Sequence, residues 1–377
     1  IVCTEPVPPF ANTARDGYAV RAAATAGARP DAPVTLRVVD ELPAGRAPSV
    51  AVEPGEAIRI MTGAPIPEGA DAIVIVERTE RAGDEGVNVH EEAPAGAHVR
   101  PAGGDLDEGS PVFDVGTVLT PPHVGVLASL GYARVPVFRR ARVGVVSTGD
   151  ELVPPGGRPL EVGQIRDSNR PMLLALVADA GAEAVDLGIA RDDEGVTERV
   201  LDDALERCDI VLTTGGVSMG EYDYVKAVLD KRAAAAGGEF VWLQIAIKPA
   251  KPFAFGVVAG IPVFGLPGNP VSALVSFELF ARPAILQAMG HPRRFRPEVD
   301  ALAEEPMPRK PDGKLHLDRV RLRYETGGYR AARTGPQESN VLSATAAANG
   351  LVLLPDGDGI DAGERVRVMR LDAIADH

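Results

Sequence analysis

Cysteine is nearly absent from this chain, with two residues, Cys3 and Cys208, in 377. Their spacing matches no metal motif, and two thiols over this length make no disulfide framework. Both are expected as reduced thiols in a cytoplasmic protein. No run of about 18 apolar residues occurs, so no membrane-spanning helix is expected. No secretory signal pattern opens the sequence. It begins at Ile1 rather than Met, and a preceding N-terminal piece is expected. The six histidines show no ligand spacing, so zinc is not supported. There is no nucleophile elbow and no Walker-type phosphate loop. Positive charge is also short: 39 Lys and Arg stand against 53 Asp and Glu, for a net charge of −14. That balance speaks against a nucleic-acid partner, whose phosphates need a basic footprint. Only six of the basic residues are lysines, and two of them, Lys248 and Lys251, share one short loop.

What is present is an ordinary globular composition, 45% hydrophobic, at a length that implies roughly two to three domains. Residues 1–138 read as β-rich, with strand-length apolar runs at 34–39 and 71–76 bounded by Pro and Gly turns, and one short helix near 123–130. Residues 139–292 alternate strands and helices. Strands are expected at 142–146, 184–187, 209–213, 240–247, 253–258 and 262–264. Helices are expected after Ser168 or Asn169, at 193–207 (Val196, Val200 and Leu205 inward), at 222–231, and at 269–289 with a kink at Pro283. This alternation predicts a mostly parallel α/β sheet with helices on both faces. Residues 293–377 return to short strands at 316–324, 329–333, 350–354 and 364–369, as in a small β-barrel or sandwich.

Three Gly-rich phrases end apolar runs: Ser147-Thr-Gly-Asp-Glu151, Thr213-Thr-Gly-Gly-Val-Ser218 and Gly265-Leu-Pro-Gly-Asn-Pro270. Ligands on parallel sheets sit at the carboxyl ends of the strands, where these phrases fall. Hydroxyls of Thr213, Thr214 and Ser218 and the N–H groups of Gly215 and Gly216 suit phosphate oxygens, although a tight βα turn alone also needs glycine. Glu151, with Asp150, is either a metal or general-base candidate or a cap. Asp167, Asp192 and Asp223 are further acids at this edge. Like charges about 4 Å apart repel by about 4 kcal/mol at an effective dielectric near 20. A hard divalent cation would remove that cost and bridge to phosphate, which points to Mg²⁺ if the acids converge. Lys248 and Lys251, in a loop stiffened by two prolines, suit phosphate as point charges or form a solvated basic turn. Pro267, Gly268 and Pro270 open the long helix, with Asn269 as its expected N-cap and a helix dipole facing the site.

As an ordered set these motifs resemble the molybdopterin molybdenumtransferase family (MoeA and the E domain of gephyrin). The matching phrases are Pro8-Pro-Phe10, Asp16-Gly-Tyr-Ala-Val20, residues 59–71, Ser147-Thr-Gly-Asp-Glu-Leu152, residues 163–169, residues 215–223, Ile247-Lys-Pro-Ala-Lys-Pro252 and residues 265–272. They cover nearly the whole chain and match least after about residue 293. The resemblance implies an α/β-plus-β multidomain subunit with a central sheet of molybdopterin-binding type and small β domains at both ends. The implied division is a connecting domain at 1–16 and 106–138, a small β domain at 17–105, the α/β domain at 139–292 and a C-terminal barrel at 293–377. It implies a homodimer whose cleft brings Asp16 and Thr62 of one subunit to Glu151, Asp192 and Asp223 of the other. The implied reaction takes molybdate and adenylylated molybdopterin as substrates, with Mg²⁺ assisting, and releases AMP.

Carried over by motif, Asp223, Asp192 and Glu151 position metal or molybdate. Lys248, Thr214, Ser218 and the Gly215-Gly216 turn hold the pterin phosphate, with Lys251, Pro267, Gly268 and Pro270 beside them. Asp105 lies in what looks like the family's Gly-Glu-Asp segment and joins the catalytic acids. The sequence departs from the family pattern at Ala11, Gly104 and Gln244, and the segment that usually precedes Pro8 is largely missing. An upstream molybdopterin adenylyltransferase-type enzyme is the implied partner, with neither nucleic acid nor membrane involved. Two rivals remain at this point: an adenylyltransferase that makes the AMP adduct, and a non-catalytic scaffold like gephyrin.

Overall fold

The computed structural model describes residues 1–156, 158–216, 224–235 and 238–372. The chain divides into two compact units, Ile1–Val135 and Pro136–His377.

In the first unit, six strands form one sheet in the order Ala72–Ile75, Gly17–Val20, Glu56–Ile60, Val34–Leu42, Gly86–Val89 and Thr79–Ala82. All neighbours are antiparallel except Val34–Leu42 and Glu56–Ile60, which run parallel. The alternating residues of these strands bury two apolar faces, one around Tyr18, Leu36 and Val87, the other around Ile58, Ile60 and Ile73. The first residues run antiparallel to a later stretch, with Val2 bridged to Pro111 and Val7 to Leu106. The helix Pro121–Ser129 follows, started by a capping box between Thr120 and His123.

In the second unit, six strands run in the order Glu183–Ala190, Arg142–Thr148, Ile210–Thr214, Ile261–Leu266, Pro252–Val258 and Phe240–Gln244. The first four are mutually parallel, and Pro252–Val258 is antiparallel to both of its neighbours. Central strands such as Arg142–Thr148 are buried along almost their whole length, because helices cover both faces. The helix Asn169–Asp179 buries Leu173 and Val177 on one face, with Leu174 partly buried beside them. The helix Glu194–Arg207 turns Thr197, Leu201 and Ala204 fully inward, with Val196, Val200 and Leu205 on its margins. Each fully buried position lies one residue from an expected one, since Thr197 and Ala204 carry little hydrophobic signal to mark the face.

The run Pro270–Ala288 is one helical rod, but Phe277–Ala281 is a π-turn between α-helices Pro270–Ser276 and Arg282–Ala288. Pro283 has no N–H to offer the preceding turn, and the wider turn takes up the mismatch in place of a sharp kink. By length and apolarity this rod would pass for a membrane span, yet 61% of it is buried inside the protein, where it packs under the sheet.

The C-terminal strands Leu315–Glu325, Gly328–Arg333, Glu298–Ala303, Arg365–Arg370 and Gly350–Leu354 close on themselves, because Gly350–Leu354 pairs back with Leu315–Glu325. The result is a barrel rather than a sandwich, and closure removes the free sheet edges. The strand Glu298–Ala303 was not expected from sequence. The two-residue strand Ile247–Lys248 leaves the α/β sheet and pairs parallel with the barrel, Ile247 opposite Leu315 and Lys248 opposite His316.

A buried ion network ties strand to helix in the α/β domain. Asp167 is 1% exposed. It accepts from Ser147 Oγ at 2.9 Å and from Arg170 Nε at 2.9 Å, and Arg170 also reaches Asp186. Removing one partner of such a pair leaves a buried charge unpaired, at a cost of about 3–5 kcal/mol. Arg170→Ala is therefore expected to lower unfolding free energy by about that amount, whereas Arg207→Ala, at the exposed pair with Asp203, should cost less than about 1 kcal/mol; urea titration of both variants measures the contrast.

Several carboxyls are held below their ordinary range. Asp209 is lowered chiefly by its hydrogen bond from Arg139, Asp312 by that from Lys314, and Asp356 by the backbone N–H of Asp312. Groups with depressed folded pKa values contribute stability that is fully present above the unfolded value, about 3.9, and is lost as pH falls through the folded values. The urea midpoint should accordingly stay level from pH 7 to 5 and drop below about pH 4, as followed by circular dichroism.

Candidate active site

Three strand ends meet at the carboxyl edge of the parallel sheet. Asn169 Nδ2 donates to Thr214 Oγ1 at 2.8 Å and to Gly268 O at 2.7 Å, and Thr214 Oγ1 donates to Pro267 O at 3.1 Å. Thr148 Oγ1 reaches Thr214 O at 3.4 Å, and the Gly215 N–H donates to Leu266 O at 3.2 Å. The loops after Arg142–Thr148, Ile210–Thr214 and Ile261–Leu266 are thereby tied into one surface. A Cβ at Gly215, where φ is +92°, would lie 2.7 Å from Thr148 O. Glycine is required there by both conformation and space.

This corrects part of the expected ligand set. Thr213 and Thr214 are buried, and the Thr214 hydroxyl is used inside the protein on both its donor and acceptor sides. Thr214 ties the loops together, its hydroxyl accepting from Asn169 Nδ2 and donating to Pro267 O. Pro267 is buried, while Gly268 is exposed, and a Cβ built on it would lie 3.8 Å from Gly215 Cα. Asp167 also leaves the set of acids at this edge, since Arg170 neutralises it in the interior. Asp167 takes over the helix start that was assigned to Ser168 or Asn169, accepting the Arg170 N–H at 3.2 Å. Ser218 and Asp223 lie outside the described residues.

The remaining acids of this edge are exposed. Asp150 and Asp192 clasp each other: the Asp150 N–H donates to Asp192 Oδ2 at 3.2 Å, and the Asp192 N–H donates to Asp150 Oδ1 at 3.3 Å. The Glu151 carboxylate folds back over Gly149, where an added Cβ would fall 2.3 Å from Glu151 Oε2. Among the described residues no group of three or more His, Cys, Asp or Glu stands together as a metal cage. Magnesium does not need one, since it is commonly held by one or two carboxylates with waters and substrate phosphates. Exposed Glu151 and Asp192 on linked loops fit that open arrangement.

The lysine loop is not a free basic turn. Ile247 and Ala250 are buried in a cluster with Val271, Leu274 and Val275 of the long helix and Leu317 and Leu351 of the barrel. The Ile245 N–H donates to Lys251 O at 2.7 Å, closing the loop, and Ala250 takes a positive φ of 77°. Lys248 and Lys251 stay exposed on this fixed base.

The helix N-terminus at Pro270 is not left open either. Asn269 makes no side-chain cap, and its Nδ2 donates instead to Ser339 Oγ at 3.1 Å, while the Val271 N–H donates to Ser339 O at 3.1 Å. The loop carrying Ser339 is shaped by Arg319. This arginine is 0% exposed and donates to the carbonyls of Pro336, Gln337 and Glu338. Sequence reasoning missed this element. Its one signal was the density of turn formers at 335–340.

In the first unit, Asp16 accepts from Thr62 twice, from the backbone N–H at 2.7 Å and from Oγ1 at 2.6 Å. The Thr62 hydroxyl bond, then the Thr62 N–H, holds the Asp16 carboxyl below its ordinary pKa. The pair is exposed. Asp105 is exposed as well, with its N–H fixed to Val7 O at 2.9 Å.

Three family models match the chain in order: the MoeA N-terminal region (domains I and II) over residues 1–131, the probable molybdopterin binding domain over 144–287, and the MoeA C-terminal region (domain IV) over 303–371. A molybdopterin molybdenumtransferase 2 of Mycobacterium tuberculosis is 44% identical over 375 residues, covering 98% of this chain and 91% of that protein. The molybdopterin molybdenumtransferase of Haemophilus influenzae is 38% identical over 365 residues, covering 96% and 87%. A crystal structure of the molybdopterin biosynthesis MoeA protein from Pyrococcus horikosii superposes with a TM-score of 0.84 at 33% identity, covering 99% of this chain and 90% of that one. With the three motif-bearing loops gathered at one sheet edge and every segment matched in order, this chain belongs to the MoeA family of molybdopterin molybdenumtransferases.

Proposed function

We propose that this protein is a molybdenum insertase of molybdenum cofactor biosynthesis. It transfers molybdate into adenylylated molybdopterin, cleaves the phosphoanhydride and releases AMP. The carrying observation is the joined sheet edge itself, where the Gly215 and Gly268 loops, the acids Glu151 and Asp192, and a rigid lysine loop all belong to one folded unit.

The chemistry follows from what these groups offer. The substrate is a phosphate-rich anion, and the chain as a whole is strongly negative. Lys248 and Lys251 supply local positive charge on a base that cannot relax away, which favours binding without reorganisation. Gly215, Gly216 and Gly268 let the ligand approach the backbone closely. Pro270 sets the helix start beside them. Glu151 and Asp192, with Asp223, would hold Mg²⁺, which neutralises the charge developing on phosphate oxygens. Ser218 is assigned to the same phosphate pocket by its motif position.

Asp16 and Thr62 are assigned to the same reaction from the partner subunit of a homodimer. Their support is local: Thr62 keeps Asp16 ionised and fixed in orientation. Asp105 is assigned with them. A molybdopterin adenylyltransferase-type enzyme must supply the adenylylated substrate, and the cytoplasm is the compartment assigned to both.

Asp223→Asn and Glu151→Gln are expected to fold normally and to lose about 10²-fold or more in cofactor formation. Chelation of Mg²⁺ should do the same to the unaltered protein, reversibly. Activity is read by reconstituting a molybdenum enzyme in vitro. Near-normal rates in Asp223→Asn would remove the assignment, and pyrophosphate released from ATP and molybdopterin would make the protein an adenylyltransferase instead.

Subunit sharing has its own test. Asp16→Ala and Asp223→Asn chains, each inactive alone, should regain activity when mixed through unfolding and refolding. Random pairing makes half the dimers mixed with one intact site each, so recovery should be about a quarter of the normal rate. No recovery would place Asp16 and Asp223 in the same chain's site or in different sites.

A further inference from the structure

Arg191 follows the strand Glu183–Ala190 and carries no role in the reading above, on which the following inference rests. Its Nη1 donates to Asp150 O at 2.8 Å and to Leu152 O at 3.3 Å. These are the carbonyls on either side of Glu151. The same two loops are joined by three more bonds: the reciprocal pair between Asp150 and Asp192, and the Gly149 N–H to Ala190 O at 3.2 Å. On its other side, the Ile165 N–H donates to Glu151 O at 2.9 Å.

An exposed arginine that donates from one nitrogen to two backbone carbonyls is doing something other than pairing charge. Asp192 is its chain neighbour and Asp150 carries one of the carbonyls it meets, yet among the described residues Arg191 forms no ion pair with either. Their oxygens are instead turned to N–H groups, which leaves the guanidinium for the carbonyls. Carbonyl ligation fixes backbone, and here it fixes the three residues centred on Glu151 against the loop that presents Asp192.

We propose that Arg191 is a positioning residue for the insertase reaction. It straps the Asp150–Leu152 backbone to the Asp192 loop, so that the Glu151 carboxylate is presented in one geometry beside Asp192. It also places a fixed positive charge behind two acids that would otherwise push apart. Arg191 acts through Glu151 and does not itself touch substrate. Misplacement of a reacting group by about 1 Å costs on the order of 10²-fold in rate. Loss of the strap with the other bonds kept should cost roughly tenfold.

A double-mutant cycle on the full-length protein tests this. Arg191→Ala is expected to lower kcat about tenfold with KM for adenylylated molybdopterin and the thermal midpoint little changed. Arg191→Lys, which still reaches one carbonyl, should recover most of the loss. In the Glu151→Gln background, Arg191→Ala should add less than about twofold, because residues that act through one another are not additive. A readout apart from turnover is amide hydrogen exchange: residues 149–152 should exchange faster in Arg191→Ala, with the barrel and the first unit unchanged. Additive losses beside a crippled Glu151→Gln, or unchanged exchange at 149–152, overturn the strap alone. Normal activity in Glu151→Gln overturns both the strap and the role assigned to Glu151.

Discussion

The site depends on one buried polar knot. The Asn169 amide spends both of its hydrogens, one on the Thr214 hydroxyl and one on Gly268 O, and the Thr214 hydroxyl passes its own to Pro267 O. These four groups come from three segments far apart in the chain. The Asn169 amide and the Thr214 hydroxyl are almost fully buried, so a bond left unmade there would expose the cost of desolvation. The knot therefore fixes the distances among the loops that carry Gly215, Gly268 and the helix start. A conventional reading gives strand-end hydroxyls to the ligand. Here the Thr214 hydroxyl is engaged within the fold, and the exposed surface that the knot holds in place is that of the Gly268 loop.

A second constraint comes from the barrel. The short strand Ile247–Lys248 pairs with Leu315–Glu325, and Ile247 and Ala250 are sunk between barrel and helix. The Ser339 loop, shaped by the buried Arg319, covers the start of the long helix. The barrel thus supplies a wall of the α/β site at two points. A domain that looks like a separate appendage in sequence is built into the geometry of the lysine loop. Shortening it would release that loop and the helix start together.

What was legible from sequence follows the range of the interactions. Strands of the central sheet were read because they are long, apolar and β-branched, and their order of alternation with helices fixed a parallel sheet. The three Gly-rich loops were read because each ends an apolar, strand-length run, although Gly215 is also needed for the turn itself. The failures are all tertiary. Asn269 has the residue type of a cap, but a serine 70 positions away takes its amide. Asp167 looks like one more acid at the site until Arg170 is seen to bury it. The Glu298–Ala303 strand is short and alternates with charge, and it exists because the barrel needs a partner for both Gly328–Arg333 and Arg365–Arg370. The π-turn at Phe277–Ala281 was invisible because Pro283 announces a break but not its form.

Charge explains why these tertiary details matter for function. A chain of net charge −14 repels a phosphate-rich ligand at long range, and solvent screens that repulsion within about 10 Å at ordinary ionic strength. Binding must then be decided inside that distance by cations held close and still. Many basic side chains of the second unit are already committed: Arg170 to Asp167 and Asp186, Arg296 to Glu278, Lys231 to Glu198, Arg319 to carbonyls. The exposed lysines of the Pro-rich loop are not paired in this way among the described residues. Their backbone is held by the buried Ile247 and Ala250, which limits how far the two ammonium groups can stray from the loop. The exposed acids Glu151 and Asp192 at the sheet's carboxyl edge add to the negative field there, so an anion meets less repulsion when those carboxylates are neutralised by a cation.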